Sequence, residues 1–160
     1  ILKFKNLKFM KNIFNTAVVT EILNRIDKLS PESKPTWGEM SVNKMFAHCN
    51  VAYELIYEVD KHPRPNPIMR FILKSFVKKL VVNEKPYKKS AMTSPAFLIK
   101  DEREFIKEKN RLIDHLTKTQ QLGESHFDNK ESHSFGILTK KEWSNMLYKH
   151  LDHHLKQFGV

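Results

Sequence analysis

Residues 142–160 read EWSNMLYKHLDHHLKQFGV, and the way this stretch coils decides the fold. Trp143, Leu147, His150, His154 and Phe158 recur at steps of three and four, the spacing of one helical face. On a wheel turning about 100° per residue, with His150 at zero, Trp143 falls at about 20°, Leu147 at about 60°, His154 at about 40° and Phe158 at about 80°. Two imidazoles therefore sit in the middle of an apolar stripe. His153 falls at its edge, about −60°, Gln157 at about −20°, and Asp152 points the other way. Upstream, Thr139 and Glu142 have the spacing of a capping box, in which hydroxyl and carboxylate each satisfy a backbone N–H at the helix start.

Working back from this helix, GESHFDNKESHSFG (123–136) reads as a polar loop, with no convincing hairpin signal. A helix from about Lys100 to Thr119 would bury Phe105, Ile106, Leu112, Ile113 and Leu116. PIMRFILKSFVKKLVV (67–82) predicts a shorter amphipathic helix opened by Pro67, with Met69, Ile72, Leu73, Phe76, Val77 and Leu80 on one face. The favoured reading packs that face on the core; the rivals are a lid over a pocket and a helix lying on a membrane surface. KHPRPNP (61–67) ends a helix from about Ser41 to Val59, with Met45, Cys49, Ala52 and Ile56 inward, His48 beside Ala52, and Asn43, Asn50, Glu54 and Glu58 outward. SPESKPTWGEM (30–40) separates it from a first helix, about Asn15 to Leu29, whose stripe is Val19, Ile22, Leu23, Ile26 and Leu29. The pattern is all-α: a bundle of four long helices with an extra amphipathic helix inserted between the second and third.

Residues 1–9 read as a loosely held extension before a single domain over 10–160. Their apolar residues alternate with lysines, which is not the continuous core of a signal peptide. No run reaches the ~18 apolar residues of a membrane span, so no stable membrane insertion is expected. Cys49 is the only cysteine, excluding an intrachain disulfide and fitting a cytoplasmic location. Lys+Arg outnumber Asp+Glu by 28 to 18, giving +10, but the lysines are scattered and lack Arg–aromatic interleaving. A solvated basic surface explains them, and no nucleic-acid partner is expected. A homodimer is neither required nor forbidden.

The chemistry concentrates in the histidines. HxxxH alone is a weak signal, since two hydrogen-bonded core histidines produce it as readily as a metal site. His48 adds a third imidazole on the inward side of another helix, able to face the first two. Three neutral imidazoles hold a divalent ion and leave a coordination position open. Around them, His133 in the loop before the last helix could approach that position, although a solvent-exposed loop histidine is the favoured reading; His153 could hydrogen-bond nearby, and Gln157 could engage a histidine's second nitrogen or make an ordinary helix-end contact. Trp37, Tyr53 and Tyr57 could line a pocket, although aromatics in small helical domains are usually core. Cys49 reads as a core thiol. Glu54 and Glu58, on an outer face, are poor acid candidates. No Gly-rich phosphate loop, G-x-S-x-G elbow or recurring Glu-x-x-His pair is present.

WGEMSVNKMFAHCN (37–50) resembles the second-helix signature of the DinB-like superfamily, and HLDHHLKQ (150–157) its last-helix HxxxHxxQ pattern. The stretch 132–159 is similar to an uncharacterised DUF-type branch of that superfamily. The resemblance implies an up-and-down four-helix bundle whose metal, zinc or nickel, is held by His48, His150 and His154, with His153 at an adjacent, non-ligating position. It also implies a metal-dependent hydrolase, or a transferase using a low-molecular-weight thiol on a small electrophilic substrate. The alternative is a non-catalytic, metal-stabilised binding or stress-response module. The long segment 61–95 departs from the compact family pattern and leaves the catalytic residues and substrate unassigned.

Overall fold

The computed structural model describes residues 10–160 apart from Met92, so the 1–9 extension lies outside the described residues. The described chain is mostly helical. Helix α1 (Thr16–Asp27) starts where the Asn15 side chain accepts from the Ala17 N–H, and it buries Val19, Ile22 and Ile26. Helix α2 (Val42–Tyr57) is capped by Ser41. A surface coil follows: α3 (Pro67–Ile72), a π turn (Leu73–Val77) and α4 (Lys78–Val82), with Asn66 capping the first turn. A 3-10 turn (Pro95–Phe97) precedes α5 (Phe105–Phe127). Strands β1 (Lys130–Ser132) and β2 (Gly136–Leu138) pair antiparallel, Glu131 opposite Ile137, and α6 (Lys140–Gln157) closes the chain.

Helices α1, α2, α5 and α6 enclose one core, in which Ile22, Ile26, Met45, Phe46, Leu112, Leu116, Phe127, Trp143 and Leu151 pack together. The capping box at Thr139 and Glu142 is formed as its spacing predicts. Both α2 and α6 are buried on nearly every side, which the wheels do not anticipate. Asn50 and Glu54, expected outside, are buried: α5 covers that face of α2 and supplies Arg111 to Glu54 at 2.6 Å and Glu108 to the Asn50 amide at 2.9 Å. Asp152, on the far side of α6 from the histidines, is buried against Arg25 of α1 at 3.0 Å.

Four further expectations are corrected. Helix α5 starts later and runs longer than expected, past Gly123, whose φ of +72° lets the chain kink and continue to Phe127. Ile106, placed in the buried stripe of that helix, faces solvent; Glu108, paired with Arg111 and Arg103, takes an inward position. The polar loop contains the β1–β2 ribbon, closed by Ser132 Oγ donating to Gly136 O at 2.8 Å. Finally, α3–α4 does not bury its apolar face: none of its residues is buried, and Ile68, Phe71, Phe76 and Leu80 point outward.

Candidate metal centre

Helix α2 carries His48 and α6 carries His150 and His154, and the three rings meet. Ring centroids lie 4.9 Å apart for His48–His150, 4.5 Å for His48–His154 and 4.9 Å for His150–His154. One nitrogen from each residue can be chosen so that all three lie within 4.8 Å of one another. His48 and His150 approach most closely, Nε2 to Nε2 at 2.9 Å.

Two oxygen acceptors set the tautomers. His48 Nδ1–H donates to the Phe97 carbonyl at 2.8 Å, and His154 Nδ1–H donates to Gln157 Oε1 at 2.9 Å. Each bond places the proton on Nδ1 and turns the Nε2 lone pair into the cluster, where that of His48 accepts from His150 Nε2–H. The arrangement of a metal-binding imidazole held from behind by an oxygen is therefore present twice. Gln157 is itself fixed, its Nε2 donating to Trp37 O at 2.9 Å, while Thr36 N–H donates to the Gln157 carbonyl at 2.7 Å. The turn before α2 thus closes on the end of α6.

Electrostatics keep these rings neutral. Burial, and then the neighbouring His48, push His154 down to about 3. His150 lies well below its ordinary value because it is surrounded by protein and by His48, His154 and His153. Burial also lowers His48, against the opposing pull of the Phe97 carbonyl. Neutral imidazoles are the protonation state that a divalent cation requires. The donor set fits: three borderline-soft nitrogens, with no fourth His, Cys, Asp or Glu donor in the cluster among the described residues.

His153 lies beside the cluster, its ring 5.1 Å from His154 and edge-on to Trp37 and Tyr87. It faces a pocket of about 110 Å3 walled by Trp37, Tyr87, Lys89 and Lys156. His133 is elsewhere. Its Nε2–H donates to His62 O at 3.1 Å, and its Nδ1 accepts from the Ser134 hydroxyl at 2.9 Å, beside a second pocket lined by Val59 and Trp143. Tyr53 and Tyr57 do not reach the cluster either; both stack on His115. Cys49 is a buried thiol against Met45, raised in pKa by burial.

Two contributors have no sequence signal. Phe97 acts through its carbonyl, which any residue possesses, and its ring packs edge-on to His48 and His150 at 5.3 and 5.5 Å. Lys149, one residue before His150, is buried. Its ammonium donates to Leu80 O at 2.7 Å, Asn83 O at 2.9 Å and Asn83 Oδ1 at 3.0 Å, tying the end of α4 to α6. Burial lowers its pKa to about 8, so it remains largely charged at pH 7.

No curated protein and no solved structure matches the chain. A family model does, over residues 11–159, and it covers the helices, the ribbon and all three clustered histidines. The chain therefore belongs to the DUF1569 family, described as a protein of unknown function.

Proposed function

We propose that the protein binds one divalent metal ion, zinc or nickel, through His48, His150 and His154, and uses it on a small electrophilic molecule. The observation that carries this reading is the pair of backing hydrogen bonds, His48 Nδ1–H to Phe97 O and His154 Nδ1–H to Gln157 Oε1, which turn two Nε2 lone pairs into one cluster. The same pattern underlies the likeness of residues 37–50 and 150–157 to the DinB-like superfamily, and the four long helices are read as its up-and-down bundle.

When bound, such an ion polarises a coordinated substrate atom and makes a coordinated water or thiol acidic enough to act as a nucleophile near neutral pH. Three protein donors leave a position for that partner, which favours a hydrolase or a thiol-dependent transferase over a closed structural site. The protein's own residues have separate tasks. The Phe97 carbonyl and Gln157 amide orient rings, and the Phe97 ring limits water at His48 and His150. His153, outside the close trio and facing the pocket, is placed to exchange a proton with a molecule held between Trp37 and Tyr87.

Metal analysis of the purified protein tests this directly. The expected content is about one equivalent of zinc or nickel, lost in His150→Ala and retained in His133→Ala. Equal metal in the wild-type protein and His150→Ala removes the site.

A further inference from the structure

We propose that the outer face of α3–α4 docks on an anionic lipid surface. This helix does not cover the core. Its inward side chains, Leu73, Val77 and Val82, are partly buried, whereas Ile68 is 76% exposed, Phe71 68%, Phe76 69% and Leu80 64%, with Met69 and Ile72 also exposed. Scattered exposed apolar residues need no explanation, but six along one short coil form a contiguous apolar face. Ile137 of the adjacent β2 is also exposed.

The π turn preserves this face. In a regular α-helix, an i, i+4, i+8, i+12 row rotates by about 40° at each step. The wider turn at Leu73–Val77 offsets part of that rotation and keeps Ile68, Ile72, Phe76 and Leu80 on the solvent side. Polar ties hold the coil flat against the body: Arg70 to Glu131, Lys78 to Glu142 at 3.1 Å, and Lys149 to Leu80 O and Asn83. The apolar side is thereby turned outward rather than left loose.

Charge selects the occupant. Residues 67–82 contain Arg70, Lys74, Lys78 and Lys79 and no Asp or Glu. Lys74 and Lys79 are exposed and have no carboxylate partner among the described residues, the Lys74 side chain running past Gly136 at the edge of the ribbon. A second copy of this chain, at +10, would bring like charges together on a face without an acid to receive them. An anionic bilayer accepts both features: the aromatic and aliphatic side chains enter the headgroup–acyl boundary while the lysines meet lipid phosphates and carboxylates. The helix lies on the surface and does not cross it, since no helix among the described residues is long and apolar enough to span a membrane.

The test is co-sedimentation of the full chain with vesicles of phosphatidylcholine alone or with about 30 mol% phosphatidylserine, at low and high salt. The expected result is at least about tenfold stronger partition onto the phosphatidylserine vesicles, weakened by salt. The double substitutions Phe71→Ser/Phe76→Ser and Lys74→Glu/Lys79→Glu should each lower partition by about tenfold or more. All four residues are exposed, so circular dichroism should report an unchanged fold. Three results overturn the proposal: wild-type protein left in the supernatant, equal binding to both lipids, or unchanged partition of either double variant. A light-scattering mass of a dimer that Phe71→Ser/Phe76→Ser returns to monomer assigns the face to a second copy and overturns it equally.

Discussion

Gly38 lacks a side chain, and Gln157 uses the space. A Cβ there would lie 3.0 Å from Gln157 Nε2, and the backbone at φ +74° is one that an L side chain adopts only with strain. Gly38→Ala should therefore cost about 1–2 kcal/mol in urea denaturation. Because Gln157 holds His154, the same change should weaken metal binding. Gln157→Leu isolates the second effect: it leaves His154 Nδ1–H without its acceptor and should lower zinc affinity about 10–100-fold in a competition titration with a chromophoric chelator. Residues of this kind are legible in sequence when the side chain itself carries the chemistry. His48, His150, His154 and Gln157 could be set on wheels and found to converge. The Phe97 carbonyl could not, because a main-chain oxygen has no residue type. The surroundings of His133 could not be read either, because loop position says nothing about which of two pockets a residue faces.

At the level of elements, apolar period located the four long helices and the Thr139–Glu142 box the start of α6; Asn15 and Ser41 cap α1 and α2, whereas α5, which has no side-chain cap, starts later than its period predicts. The failures have physical causes. The pattern ends α5 at about Thr119 and puts Gly123 at the start of a polar loop, but a glycine at positive φ can bend a helix and let it resume. The β1–β2 ribbon is three residues a side and has too little alternation to register. The outward face of α3–α4 is hidden from pattern reading altogether, because periodicity reports that a face is apolar and not what covers it. Lys149 fixes the end of this coil, alongside the Arg70–Glu131 and Lys78–Glu142 pairs. Lys149→Met removes donors from Leu80 O, Asn83 O and Asn83 Oδ1, and should destabilise the protein by about 1–3 kcal/mol. Amide hydrogen exchange should rise mainly in residues 78–83; uniform exchange across all helices would contradict a local tie.

Across the whole molecule, α2 and α5 are joined by ionised groups as well as by the core. Glu54 is buried and meets Lys61 at 2.6 Å, His62 at 2.7 Å and Arg111 at 2.6 Å, while Arg111 also reaches Glu108 at 3.0 Å. Burial alone would raise the Glu54 pKa, but its hydrogen bonds to Lys61, His62 and Arg111 outweigh it and hold the carboxyl down at about 2. A carboxyl depressed in the folded state stabilises the fold fully above its unfolded value of 4.5, and that contribution fades as pH falls toward 2. Glu54→Gln should therefore flatten the stability profile between pH 4.5 and 2, measured by urea midpoints, and lower stability at pH 7 by about 2–4 kcal/mol. An unchanged slope in that range would show that other carboxyls govern acid unfolding.

Lys149 has a larger consequence than the local one. It grips the last carbonyls of the outer coil, and its neighbour on α6 is His150, so the coil and the histidine cluster are attached to adjacent residues of one helix. If the cluster holds a metal and the outer face a lipid, as proposed, any preference of the metal-bound cluster for one setting of that helix must, by thermodynamic reciprocity, appear as an equal factor in lipid affinity. Vesicle affinity with and without bound zinc, and zinc affinity with and without vesicles, should then change by the same ratio, and Lys149→Met should return that ratio to one.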